Sequence, residues 1–177
     1  MLEKLKYPIG KLNIPTEISD KTIKNWIEII ENHPNKITSL VANLTDNQLD
    51  TPYRPDGWTI RQVVHHLGDS HVNSYIRFKW TLTENKPIIK AYYEDRWVEL
   101  SDTKYAPIQI SLDFLKMLHA KWVYLLKSLT EDDLKKCFIH PETNKEITLA
   151  KNIGIYAWHC KHHYEHINQL VIRNGWK

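Results

Sequence analysis

Cysteine is scarce. The 177 residues hold two, Cys137 and Cys160, which form no CxxC pair and cannot make a disulfide framework. No apolar run approaches the ~20 residues that a membrane-spanning helix needs, and the opening MLEKLKYPIGKLNIP has no secretory h-region. The expectation is a soluble, cytoplasmic protein. A basic block is missing too. The formal net charge of +3 is small and its charges interleave, which removes the electrostatic case for a nucleic-acid partner. Internal repeats and low-complexity tracts are absent. Phenylalanine is rare, three residues against seven tryptophans and nine tyrosines. Such amphipathic aromatics suit a packed bundle, a pocket or a dimer face.

What the chain does have is helical periodicity, in a length that suits one domain over 1–177 with a real core. Residues 1–18, with Pro8, Gly10 and Pro15, read as an extended arm. From Ser19 the apolar positions Ile23, Trp26, Ile27, Ile30, Ile37, Leu40, Val41 and Leu44 keep one helical phase across Pro34. The pattern predicts one long, kinked helix. Thr45 and Gln48 resemble a capping box, and TPYRPDGW is a loop by its Pro and Gly content. A second helix is expected from Thr59 to about Thr83. The segment from Asn85 to Ser111 shows no clear period, and irregular stretches of that length are usually lids, binding loops or crossovers. Ser111 reads as the cap of a third helix with the face Leu115, Leu118, Trp122, Leu125, Leu126 and Leu129. CFIHPETNKEITL has strand-like ends around a polar turn, a small hairpin. Thr148 starts a fourth helix that ends near Asn174-Gly175. The fold class is all-α: a four-helix bundle with a long crossover between the second and third helices and a small β-hairpin before the fourth.

The chemistry concentrates in His159-Cys-Lys-His-His-Tyr-Glu-His166, four histidines in eight residues. Residues four apart share a helix face, so His159/His163 and His162/His166 are each a candidate pair on one metal ion. A catalytic zinc site usually takes three protein ligands and leaves one position open, so another helix must supply the third. VVHHLGDSH on the second helix offers His66, which shares a face with Val63, Ser70 and Asn73. His65 falls away toward Asp69, and His71 points elsewhere again. His33, His119 and His140 stand alone and read as surface or hydrogen-bonded core residues. Crowded neutral imidazoles need a partner for every ring nitrogen, and a metal meets that demand. Spacing leaves both pairs open. The apolar residues Tyr156, Ile167, Leu170 and Val171 centre nearer His159/His163.

PYRPDGWTIRQVVHHLGDSHVNSYIRFK and WHCKHHYEHINQL, together with YPIGK, TDNQLDTPYR and HPETNKEITL, cover nearly the whole chain. They closely resemble the YfiT-like, bacillithiol-transferase branch of the DinB-like metalloenzymes. The resemblance implies an up-down-down-up bundle, a homodimer, and one divalent ion per subunit, zinc or nickel. Matched residue by residue, it implies His66, His162 and His166 as ligands, with no departure at those positions. Cys160 is a ligand by type but lies ~160° from His162 around the helix.

The function so implied is a metal-dependent enzyme. Its first form is a thiol S-transferase that activates a bacillithiol-like small thiol toward electrophiles. The alternatives are a hydrolase using metal-bound water or a non-catalytic, metal-stabilised binding bundle. No catalytic side chain stands out. Asp69 is a candidate for orienting a ligating imidazole. Arg77 and Arg96, with Tyr92, Tyr93, Trp97 and Tyr105, are candidates for binding an anionic thiol substrate, Arg77, Tyr93 and Trp97 first among them.

Overall fold

In the computed structural model, which describes residues 2–176, helices begin where the sequence supplies an acceptor for their free N–H groups. A short helix α1 (Leu2–Lys6) lies inside the N-terminal arm, which is otherwise irregular. The Ser19 hydroxyl accepts from the Thr22 amide and starts α2 (Asp20–Val41). Thr45 and Gln48 form a reciprocal capping box on α3 (Asp46–Leu49), and Thr59 and Gln62 form another on α4 (Ile60–Thr83). The crossover is less irregular than expected: it holds α5 (Glu94–Trp97) and α6 (Ser101–Tyr105). Next comes α7 (Ile108–Lys127), capped by Pro107 without a side-chain bond. Ser111 is therefore not its cap. It sits in the first turn, and its hydroxyl bonds His65 Nδ1 at 2.7 Å. After α8 (Glu131–Lys135), strands β1 (Cys137–His140) and β2 (Lys145–Thr148) pair antiparallel, Cys137 opposite Thr148. The Thr148 hydroxyl then caps α9 (Leu149–Arg173).

The four long helices α2, α4, α7 and α9 make the bundle. Helix α2 packs against α7 and α9, and α4 packs against the same two. Helices α2 and α4 thus lie on one diagonal and α7 and α9 on the other, while α4 and α7 are neighbours joined by the long crossover. Arg61 anchors that crossover. Its guanidinium reaches Asp50 Oδ1 at 2.6 Å, Asp46 Oδ1 at 2.7 Å and the Ala106 carbonyl at 3.2 Å. The core lies in two apolar clusters. One gathers Ile37, Leu40, Val63, Leu67, Leu115 and Ile167; the other gathers Ile30, Phe78, Trp122, Leu149, Ile153 and Tyr156. Burying each such side chain contributes roughly 1.5–3 kcal/mol.

Between the clusters every long helix contributes histidine: His33 from α2, His66 and His71 from α4, His119 from α7, and His159 and His163 from α9. Pro34 sits inside α2 without breaking it. It has no N–H to give the carbonyl four residues back, and that carbonyl, on Ile30, accepts from His119 Nδ1 at 2.7 Å instead.

Candidate metal centre

The fourth helix brings His159 and His163 to the face that meets α4, because residues four apart stack on one side of a helix. From α4, His66 meets them. One ligand atom from each of His66, His159 and His163 lies within 4.8 Å of the others. His66 Nε2 and His159 Nε2 are 3.3 Å apart. Two imidazole nitrogens on one tetrahedral ion at about 2.0–2.1 Å stand roughly 3.3–3.4 Å apart, so this pair already has ligand spacing. Nδ1 of His163 is buried without a hydrogen-bond partner. Burial holds all three rings neutral, pushing His66 down to about 4 and His159 and His163 well below the usual imidazole range. Neutral imidazoles keep a lone pair for a metal. The donor set and its spacing fit a divalent ion, and no fourth His, Cys, Asp or Glu joins the group among the described residues.

His162 and His166, the pair that the resemblance implied, face elsewhere. His166 stacks on Tyr53 with ring centroids 4.0 Å apart, and its Nε2 donates to the Lys6 carbonyl at 3.0 Å. His162 stacks on Trp158 at 4.2 Å and meets Tyr7 of the N-terminal arm. His166 Nε2 is occupied by that carbonyl, while Nδ1 of His162 and Nδ1 of His166 have no hydrogen-bond partner. These two imidazoles contact the N-terminal arm, and the group the structure brings together around His66 is His66, His159 and His163 rather than His66, His162 and His166. The apolar residues of α9 centre nearer His159/His163, the pair that meets His66 here; matching on the histidine before xxQL gives His162/His166.

Trp58 covers one side of the cluster, its ring 4.7 Å from that of His66 and stacked toward His163 at 6.2 Å. On the crossover side, the Ser70 hydroxyl lies 3.4 Å from His159 Nε2. Tyr92 sits beside Ser70, Tyr156 and Asp69, and burial drives its hydroxyl pKa up. Asp69 does not orient a ligand, since no histidine donates to it among the described residues. Burial, then the neighbouring Asp102, raises its carboxyl to about 6. Trp97 packs on Tyr92 at 4.8 Å, while Tyr93 is exposed beneath the Arg96 guanidinium. Arg77 is half-buried with Nε unpartnered. Of the crossover tyrosines singled out from sequence, Tyr92 rather than Tyr93 lies beside Ser70, whose hydroxyl approaches His159. Cys160 is buried, its thiol pushed up by desolvation.

Residues 29–167 match the family described as the DinB superfamily. The chain belongs to that superfamily. DinB relatives from Bacillus cereus (strain 03BB102) and Bacillus thuringiensis subsp. konkukian (strain 97-27) each carry the name "Putative metal-dependent hydrolase". Each is 52% identical over 172 residues, covering 97% of this chain and 98% of the relative. The solved structure of YfiT from Bacillus subtilis, described as having an unusual four-helix bundle topology, superposes with a TM-score of 0.96. It is 49% identical, covering 98% of this chain and 99% of that one. In this DinB protein α2 and α4 share one diagonal of the bundle and α7 and α9 the other. None of its described helices is long and apolar enough to cross a membrane.

Proposed function

We propose that this DinB protein is a metal-dependent enzyme whose ion is held by His66, His159 and His163 and whose nucleophile is a small molecule rather than a side chain. The observation that carries this reading is the convergence of three neutral imidazoles within 4.8 Å without a fourth protein donor, the pattern of an open catalytic site. When bound, the ion acidifies a water or thiol in its open position. The chain's own residues hold, orient and shield. His66 approaches from α4 and His159 and His163 from α9, while Trp58 keeps bulk water from one side. Asp69 lies beside Tyr92 on the crossover side, its carboxyl raised to about 6 by burial, and is the candidate to take a proton.

Hydrolysis is the first reading, supported by the name its relatives carry. Thiol transfer, the first form expected from the sequence, is the second; both cysteines are buried with raised pKa, so any reacting thiolate would come from outside, as with a bacillithiol-like thiol attacking an electrophile. Zinc and nickel both suit the donors. To divide the readings, zinc- and nickel-loaded protein is incubated with a panel of esters and amides, and with a bromobimane electrophile plus bacillithiol, glutathione or cysteine. Metal-dependent cleavage without thiol supports the hydrolase; metal-dependent thiol conjugation supports the transferase. Failure of the protein to bind either ion overturns both. The homodimer is proposed to use the exposed stripe Ile110, Phe114, Met117 and Tyr124 on α7. Light scattering that gives a monomer mass would overturn that.

A further inference from the structure

Three hydrogen bonds run inward from the metal cluster through the buried polar layer. His159 Nδ1 meets His71 Nε2 at 3.0 Å, His71 Nδ1 meets His119 Nε2 at 2.7 Å, and His119 Nδ1 meets the Ile30 carbonyl at 2.7 Å. His71 is 0% exposed and His119 is 2% exposed, so no water competes for these nitrogens. The far end fixes the direction. A carbonyl oxygen only accepts, so His119 carries its proton on Nδ1. A neutral imidazole has one donor and one acceptor. His119 Nε2 therefore accepts, and His71 must donate from Nδ1. His71 Nε2 then accepts, and His159 donates from Nδ1 in turn. Three protons on three Nδ1 atoms fill all three bonds. What is left is the Nε2 lone pair of His159, the atom that stands 3.3 Å from His66 Nε2.

We propose that His71 and His119 are positioning residues that lock His159 in the Nδ1–H form, and that the Ile30 carbonyl left free by Pro34 anchors the chain. The position usually filled by a carboxylate or carbonyl behind a ligating histidine is filled here by a second and a third histidine. Neighbouring rings hold them in place: Trp122 and Tyr156 stand edge-on to His71 with centroids 5.9 and 5.4 Å away, and Trp122 stands edge-on to His119 at 5.6 Å. His33 adds a further ring at 5.6 Å from His71 and 5.9 Å from His119.

The inference rests on the reading of His159 as a ligand, yet its central observable needs no metal. In long-range proton–nitrogen NMR spectra of metal-free protein with 15N-labelled histidine, His159, His71 and His119 should all appear as Nδ1–H tautomers. An Nε2–H tautomer at any of the three overturns the proposal. In zinc titrations, His71→Leu should lower affinity ~10–100-fold, as losing the partner of a ligating histidine commonly does. His71→Gln keeps an amide oxygen where Nε2 stood and should recover most of that loss. A folded His71→Leu protein with wild-type zinc affinity would also overturn it. Should His71→Leu fail to fold, the wild-type tautomers decide alone. Wild-type protein that binds no zinc would instead defeat the metal-site reading and leave the tautomers to be read.

Discussion

His66 Nε2 and His159 Nε2 stand 3.3 Å apart although 93 residues separate them in the chain. His66→Ala and His159→Ala should each abolish tight zinc or nickel binding, a loss of at least ~100-fold, because two imidazoles remain where three are needed. His162→Ala should retain binding. Calorimetry on these three variants checks the ligand set, and metal loss in His162→Ala alongside retention in His159→Ala would reverse it.

Metal-free protein should lose stability as pH falls from about 6.5 to about 4. Burial lowers His119 to about 4, below the ordinary imidazole value. Through that window the unfolded chain binds a proton the folded one refuses, so folding weakens as pH drops. For His119 alone the full effect is on the order of 3 kcal/mol. Asp69, raised to about 6, acts with the opposite sign because its folded state takes up the proton first. Urea midpoints between pH 4 and 7 should show the fall, and His119→Leu should reduce it without abolishing it, because the other buried histidines are lowered too.

Both thiols should resist alkylation in the native state. Cys137 and Cys160 are 8% and 1% exposed, and burial raises both; the thiolate is the reactive form. Iodoacetamide should label them only after denaturation. Rapid native labelling of Cys160 would restore it as a candidate nucleophile.

Gly154→Ala should destabilise by about 1–3 kcal/mol. An added Cβ would come within 2.8 Å of the Trp26 ring and 2.9 Å of Ile14 Cδ1. The clash loosens both α2 and the N-terminal arm, and thermal unfolding should show it.

The elements that announce themselves locally were readable. Thr59 with Gln62 and Thr148 with Lys151 supply their helices' first acceptors within three residues, and the apolar phase survives Pro34 because the missing bond touches one carbonyl. Ser111 misled, since its hydroxyl is taken by His65, 46 residues away. The short helices at Glu94–Trp97 and Ser101–Tyr105 are too brief to show a period. Among the histidines, the fourth helix's apolar centre pointed to His159/His163, while residue matching chose the other pair. That His162 and His166 contact the arm depends on Tyr7, Tyr53 and Lys6, which no helical wheel of α9 contains. His119 read as a hydrogen-bonded core residue and is one; that its bond begins a chain ending at the cluster needed three helices in place.

Packing α4 against α9, with α7 between them in the chain, bears on how the protein acquires its centre. No two adjacent segments can close the cluster, so His66 must wait for α9 after α7 has been laid between. Such long-range closure comes late and folds slowly. An ion arriving during synthesis finds at most the two imidazoles of α9. It can hold the finished bundle by mass action and delay its opening, but it cannot template the early steps. Zinc should therefore slow unfolding and leave the rate of refolding nearly unchanged.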